Sequence, residues 1–167
     1  MIARVVALGQ RTAGDDGVGP AVLDRLRALA PPHVELLELA DASALIPLIA
    51  AAVPLVIIDA VVMAGRSPGD LIELPADALP PRTRALSTHG VALPQAIAIG
   101  QALAPPGAVA ATRLVGIVIA PPAPGAPGLS PEVAAAVTGA VGAVLSQIRA
   151  LAGASSDLHG QRPAEAR

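Results

Sequence analysis

Short, nearly uninterrupted apolar runs recur along the chain and are separated by segments with a helical spacing of apolar residues. Continuous apolar runs of this length are typical of strands that are covered on both faces of a sheet. Five runs predict strands, at residues 2–9, 34–39, 55–58, 71–74 and 114–119. Glu35 and Glu38 interrupt the second run and indicate a position nearer to a sheet edge.

Four segments with apolar residues at helical spacing predict helices. They cover residues 18–29, 44–52, 91–103 and 131–151. The last helix has the clearest pattern, since Ser130 can cap it and Pro131 suits its first turn. Its apolar stripe consists of Val133, Val137, Val141, Val144, Ile148 and Leu151. The pattern stops after Gly153, and we expect the remaining tail to be disordered.

Alternation of strands and helices predicts the fold class. Parallel strands joined by helices form a sheet whose two faces are both covered. No internal repeat or domain-length shift in composition is present. We therefore predict an α/β protein with a single three-layer α/β/α domain at residues 1–152, a mostly parallel, twisted sheet, and a tail at residues 153–167.

Composition narrows the function. The 167 residues are 53% hydrophobic and 14% charged, with a formal net charge of -2, which excludes the charge-rich disordered class. A nucleic-acid partner is disfavoured, because the chain has neither a basic patch nor aromatic residues for base stacking. The absence of cysteine excludes disulfides, thiolate metal sites and cysteine nucleophiles.

Two uncharged stretches raise the question of a membrane. Residues 44–58 are short for a span and contain two prolines, and residues 90–112 are interrupted by prolines and glutamines. The apolar run at the amino terminus ends too soon for a secretory signal. We expect a soluble cytoplasmic protein without membrane insertion.

Polar residues follow the predicted strands where ligands of α/β proteins usually bind. Asp15 and Asp16 follow the first strand, Asp59 ends the third run, and His89 precedes a helix. Two carboxylates and an imidazole at one sheet edge make a site for a divalent cation. Oxygen and nitrogen ligands of this kind suit nickel, zinc, manganese or cadmium.

Each of these residues also has a purely structural interpretation. Asp16 can cap the first helix, which from spacing alone is as good an explanation as metal binding. Asp59 needs a partner at the end of a buried strand, and loop N–H groups would satisfy it. His89 can be a surface residue near a helix start. Spacing alone leaves these alternatives open.

Other chemistries fit the residues less well. Glycines follow the first strand, but their spacing is not Gly-x-Gly-x-x-Gly, and Asp15 and Asp16 would repel a pyrophosphate. A small-molecule binder of the Rossmann type is therefore a minor alternative. Neither a Gly-x-Ser-x-Gly elbow nor a His-Glu-x-x-His motif occurs.

The order of motifs resembles that of the hydrogenase maturation proteases. Leu8-Gly9-Gln10, followed by Gly14-Asp15-Asp16-Gly17-Val18-Gly19, is similar to the amino-terminal signature of that family. Four further segments resemble its later motifs, in order: Ile57-Ile58-Asp59-Ala60, Ser87-Thr88-His89, Leu114-Val115-Gly116-Ile117 and Gly128-Leu129-Ser130-Pro131-Glu132-Val133. The resemblance covers residues 2–151.

The resemblance implies a phosphorylase/hydrolase-like fold and an endopeptidase, classified as aspartic-type. Such an enzyme removes the C-terminal extension of the nickel-iron hydrogenase large-subunit precursor after nickel insertion. Asp16, Asp59 and His89 are then the catalytic and metal-contacting residues. The nickel is carried by the substrate, and no permanent cofactor is expected. The implied partner is the large-subunit precursor, and a monomer suits docking onto it.

Three segments depart from the family pattern. Gln10 stands where the family has asparagine, residues 40–43 replace a glycine-rich turn, and the segment after Ile117 is also altered. The changed turn keeps a second hypothesis open, a non-catalytic chaperone that checks nickel in the large subunit. The identity of the catalytic base also stays open between Asp16 and Asp59.

Overall fold

The computed structural model describes residues 3–75, 78, 84–85, 91–106, 111–121 and 127–160. Six strands lie within these residues: β1 (Ala3–Leu8), β2 (Val34–Leu39), β3 (Leu55–Val62), β4 (Leu71–Pro75), β5 (Arg84–Ala85) and β6 (Thr112–Val118). Four α-helices accompany them: α1 (Val18–Leu29), α2 (Leu45–Ala50), α3 (Leu93–Leu103) and α4 (Pro131–Gly160). Two 3₁₀ helices precede α1 and α2, at Gly14–Gly17 and Ala42–Ala44.

The described strands form one sheet in the order β2-β1-β3-β6-β4, and β5 pairs with β3 outside this path. The pairs β1–β2, β1–β3 and β3–β6 are parallel, while β4 and β5 run antiparallel to their neighbours. The prediction of a mostly parallel α/β sheet is therefore confirmed. The edge position indicated for the second run is also confirmed, since β2 pairs only with β1 among the described strands.

Two apolar cores lie on opposite faces of the sheet and confirm the three-layer arrangement. One core joins α1 and α4 to the face that includes Val5, Val56 and Val115. The other joins α2 and α3 to the face that includes Val6, Ile57 and Leu114. Because β1, β3 and β6 contribute to both cores, their sequences are mostly apolar on both faces, as expected for strands covered on both sides.

The end of the central strand differs from the prediction. Asp59 does not end β3, because the strand continues through Ala60 to Val62. Its ladder with β1 does stop at Ile58, but its ladder with β6 continues from Asp59, opposite Gly116, to Val61. Asp59 therefore lies within the strand, one residue beyond the last pairing with β1. A charged residue interrupts the apolar run without interrupting the backbone hydrogen bonds.

The second helical segment starts differently from the prediction. A 3₁₀ turn precedes it and is capped by Asp41, whose Oδ1 accepts a hydrogen bond from the N–H of Ser43 at 2.7 Å. The 3₁₀ turn then leads into α2, which is shorter than the predicted helix. An aspartate often starts such a turn, because its short side chain can accept a hydrogen bond from the backbone N–H two residues further along the chain.

Helix α4 confirms the predicted apolar stripe, all of whose members are buried. The backbone helix is described as far as Gly160, beyond the predicted end of the domain. The division of the chain at residue 152 and the disorder of the tail stay predictions. By length and composition, Pro131–Gly153 is also apolar enough to cross a membrane, a property shared by core helices of soluble proteins.

A close approach between α1 and the sheet depends on Gly19. A Cβ atom at this position would collide with the carbonyl oxygen of Leu8 and would lie 3.3 Å from that of Ile58. Only glycine lets the first turn of α1 cross this close to the carboxyl ends of β1 and β3. This crossing brings the loop before α1 next to Asp59.

We expect Gly19→Ala to lower the free energy of unfolding by about 1–3 kcal/mol, because a backbone carbonyl cannot move aside as a flexible side chain can. Urea unfolding followed by far-ultraviolet circular dichroism measures this, since the chain has neither Trp nor Tyr.

The matched control is Gly142→Ala, a helical glycine with no atom within 4 Å of the added Cβ. It should raise the free energy of unfolding by about 0.5–1 kcal/mol through the better helix propensity of alanine. Equal effects of the two substitutions would contradict the role assigned to Gly19.

Candidate functional site

The loop between β1 and α1 forms one half of the candidate site. Gly9 adopts a φ of 125°, in the region that favours glycine, and a Cβ atom there would collide with the backbone carbonyl of Asp16. The chain then turns through the 3₁₀ helix that carries Asp15 and Asp16. The lack of a side chain at Gly9 thus lets the loop fold back so that Asp16 lies against the end of β1.

Asp16 does not cap α1, so the capping role that its position in the sequence allowed is wrong. The N-cap position is Gly17, and no side chain bonds to the first turn there. Instead, Asp16 Oδ2 accepts a hydrogen bond from the backbone N–H of Gln10 at 2.7 Å. The position at which the chain departs from the family's asparagine therefore contacts Asp16 through its main chain.

Asp15 has a different partner and a different role. Its Oδ1 accepts the backbone N–H of Ser130 at 2.6 Å, and its Oδ2 accepts the hydroxyl of Ser130 at 3.0 Å. These bonds tie the loop after β1 to the residue that precedes α4. The sequence analysis did not predict this pair, because the two residues are distant in the chain and no sequence pattern indicates that they are in contact.

Asp59 is buried, with a residual exposure of 6%. On its face of β3, Ile57 belongs to the α2–α3 core, and Val61 packs with Ile72 and Val118. Burial, the larger cause, and the negative charge of Asp16 together raise the pKa of Asp59 from its ordinary value of 3.8 to about 8. A hydrogen bond from the N–H of Ala60 acts in the opposite direction.

The structure therefore brings two of the three predicted site residues together. The electrostatic effect of Asp16 on Asp59 places both carboxylates in one neighbourhood, as predicted from the ends of parallel strands. His89 and Ser87 lie outside the described residues, which resume at Val91 just before α3. Within the described part of the chain, no group of three or more metal-binding side chains is present.

A cavity of about 220 Å³ lies beside Asp16. Its wall combines the loop after β1, the segment after β6 and the segment before α4. The described residues that line it are Ala13, Gly14, Asp15, Asp16, Ile119, Ala120, Pro121, Pro127, Gly128, Leu129 and Ser130. Since Asp15 is held by Ser130, Asp16 is the lining carboxylate whose second oxygen accepts no described hydrogen bond.

The paired carboxylates suit a cation. The negative charge of Asp16 disfavours ionisation of Asp59, and a proton on Asp59 or a bound positive ion would relieve this repulsion. Without a cation, Asp59 is largely protonated at neutral pH, as its raised pKa requires. A divalent ion would favour the ionised form of Asp59, and carboxylate oxygens are suitable ligands for it.

We expect Asp59→Asn to stabilise the metal-free protein progressively as the pH rises. The folded-state pKa of Asp59 is raised to about 8, so between about pH 4 and pH 8 the folded protein holds a proton that the unfolded chain has lost. The stability of the wild type therefore falls with rising pH in this window, by up to about 1.4 kcal/mol per pH unit from this group.

Urea unfolding at pH 5, 6, 7 and 8 with a chelator tests this expectation through the difference between variant and wild type. The difference should grow with pH for Asp59→Asn and stay constant for Glu73→Gln, an exposed carboxylate on β4. A pH-independent difference for Asp59→Asn would show that its carboxyl group titrates normally.

Comparison with known proteins identifies relatives of the chain. The sequence matches the HycI hydrogenase maturation protease family over residues 21–147. This match includes Asp59 but begins after Asp16. No curated protein sequence matches the chain significantly.

Solved structures share the fold. The hydrogenase maturating endopeptidase HybD from E. coli is 25% identical, with a TM-score of 0.65 over 88% of this chain and 92% of that one. The NiFe hydrogenase maturation protease HybD from Thermococcus kodakarensis is 23% identical, with a TM-score of 0.67 over 87% and 98% of the two chains. The latter likeness shows the fold alone. Because the family match extends over most of the domain, the chain belongs to the hydrogenase maturation protease family.

Proposed function

We propose that the protein cleaves the C-terminal extension from a nickel-iron hydrogenase large-subunit precursor and recognises the nickel that this substrate carries. Family membership supports a processing endopeptidase. The observation that carries the finer proposal is the pair of neighbouring carboxylates, Asp16 and Asp59, at the carboxyl edge of the sheet. Two neighbouring carboxylates are better suited to bind a cation that arrives with the substrate than to bind a neutral peptide alone.

The two carboxylates have different environments and so different tasks in this proposal. Asp16 faces the cavity, is only partly buried and keeps one oxygen without a described hydrogen bond. Asp59 lies deeper and gives up its proton when a positive ion arrives. We assign both as ligands of the substrate's nickel, and one of them as the base that activates water. His89 is the third proposed ligand, on the strength of its Ser-x-His motif.

The cavity beside Asp16 offers room for the substrate peptide. Its volume of about 220 Å³ and its lining of small and apolar residues fit a short segment of main chain and a modest side chain. Binding the nickel at Asp16 would fix the position of the adjoining peptide bond, which lowers the entropic barrier to attack by water. The nickel belongs to the substrate, and the proposal includes no permanent cofactor. We further propose that the protein acts in the cytoplasm, as a monomer.

A specific observation favours a second candidate, a nickel-checking chaperone that does not cleave. The turn at residues 40–43 has no glycine, and Asp41 fixes its backbone through a 2.7 Å hydrogen bond to the N–H of Ser43. The resemblance implies a glycine-rich turn here, and glycines permit backbone conformations that this turn lacks. A rigid turn is compatible with binding of the large subunit and leaves cleavage to be demonstrated.

We expect the wild-type protein to shorten a nickel-loaded large-subunit precursor and to leave the nickel-free precursor intact. Intact-mass spectrometry detects the loss of the C-terminal peptide. Asp16→Asn, Asp59→Asn and His89→Ala should each reduce the rate by about 100-fold or more, because each removes a proposed ligand or base.

Glu73→Gln is the matched carboxylate control, since Glu73 is exposed on β4 and bonds to Gln147, away from the cavity. It should cleave at the wild-type rate. If the wild type binds the loaded precursor tightly but never shortens it, the chaperone is the correct function. Equal cleavage of loaded and nickel-free precursors would contradict recognition of nickel.

A further inference from the structure

We propose that Arg11 is a positioning residue, which holds the loop after β1 so that the backbone N–H of Gln10 keeps the Asp16 carboxylate in place. The inference rests on the proposed function, because Asp16 is a ligand or base only there. The residue itself does not line the described wall of the cavity. It acts through the main chain next to it.

The side chain of Arg11 joins two elements at once. Toward β2, its Nε and Nη2 donate to the two carboxylate oxygens of Glu38, each at 2.7 Å. Toward α1, its Nη1 and Nη2 donate to the carboxylate of Asp24 at 2.7 and 2.9 Å. A planar guanidinium with two-point contacts to two carboxylates has a fixed position and orientation, unlike a single charge contact.

Arg27 completes the cluster. Its Nη1 lies 2.9 Å from Asp24 Oδ1 and 3.4 Å from Glu38 Oε2, so two cations face two anions. The hydrogen bonds from Arg11 lower the pKa of Asp24 to about 2 and also lower that of Glu38. Both carboxylates therefore stay ionised, and the cluster persists, across the pH range in which the enzyme would be assayed.

The backbone of Gln10 and Arg11 contacts the segment that leads to and carries Asp16. The N–H of Gln10 donates to Asp16 Oδ2, and the carbonyl of Gln10 accepts the N–H of Ala13 at 3.0 Å. A Cβ atom at Gly17 would lie 3.2 Å from the carbonyl of Arg11 and 3.3 Å from that of Gln10. Displacement of Arg11 would thus shift the N–H of Gln10, which donates to Asp16. It would also shift the two carbonyl groups against which Gly17 packs.

The expected effect is local rather than global. The Arg11 side chain is 47% exposed, and exposed ion pairs contribute little to overall stability. Loop opening, by contrast, depends on the few contacts that hold the loop itself. Loss of the Arg11 contacts should therefore increase the mobility of residues 10–13 while the melting temperature changes little.

The test compares Arg11→Gln with Arg4→Gln. Arg4 is a matched control because it also pairs with a glutamate of β2, Glu35, at 2.7 Å, but at the opposite end of the β1–β2 ladder. The first measurement is hydrogen exchange of the Gln10 amide by NMR, in the full-length protein without substrate. The second is the steady-state kinetics of precursor cleavage.

In Arg11→Gln, we expect the Gln10 amide to exchange at least about tenfold faster than in the wild type, with kcat about tenfold lower and KM within about twofold. Arg4→Gln should match the wild type in both measurements. Arg11→Lys, which keeps the charge but not the two-point contacts, should fall between Arg11→Gln and the wild type.

Unchanged exchange of the Gln10 amide in Arg11→Gln would overturn the proposal, and so would faster exchange with an unchanged kcat. A wild type that never cleaves the loaded precursor would refute the proposed peptidase instead. In that case the exchange measurement alone decides whether Arg11 positions the loop, so the two failures are distinguishable.

Discussion

The neighbouring carboxylates of Asp16 and Asp59 impose the main physical constraint on this structure. One of them is buried among apolar side chains, and the negative charge of the other makes its ionisation still less favourable. A proton on Asp59 relieves this unfavourable charge, and a nearby cation would do the same. Gly9 and Gly19 show how closely the surrounding backbone is arranged to keep the two groups near each other, since a side chain at either position would collide with a carbonyl.

The arrangement of the strands explains why Asp59 is more deeply buried than Asp16. The β1–β3 ladder ends at Ile58, while β3 remains paired with β6 for several residues more. The end of β1 therefore leaves room beside β3 for the loop that carries Asp16. Asp59 stays inside the sheet, where the α2–α3 core and the cluster around Val61 exclude water. Asp16 lines a cavity while Asp59 is buried within the sheet, because β1 stops pairing with β3 before β6 does.

Much of the fold could be predicted, because the central strands β1, β3 and β6 are buried on both faces and the helices have apolar stripes. The errors have physical causes. An apolar run marks burial, not pairing, so Asp59 seemed to end a strand that hydrogen bonds extend to Val62. The proximity of Asp16 to Asp59 followed from strand topology, but the bonds of Asp15 to Ser130 and of Arg11 to two elements did not. Those contacts join residues distant in sequence, and no local pattern specifies them.

Asp15 and Asp16 illustrate how adjacent, chemically identical residues acquire separate roles. Both oxygens of Asp15 accept hydrogen bonds from Ser130, which connects the loop to the start of α4. Asp16, which also lines the cavity, accepts one described backbone N–H through Oδ2, and its Oδ1 accepts no described hydrogen bond. A carboxylate with two acceptor oxygens can be oriented by one bond and still bind a cation with the other. Asp15 is thus anchored by two bonds to Ser130, whereas Asp16, the carboxylate that the proposed function assigns to the substrate's nickel, is oriented by one.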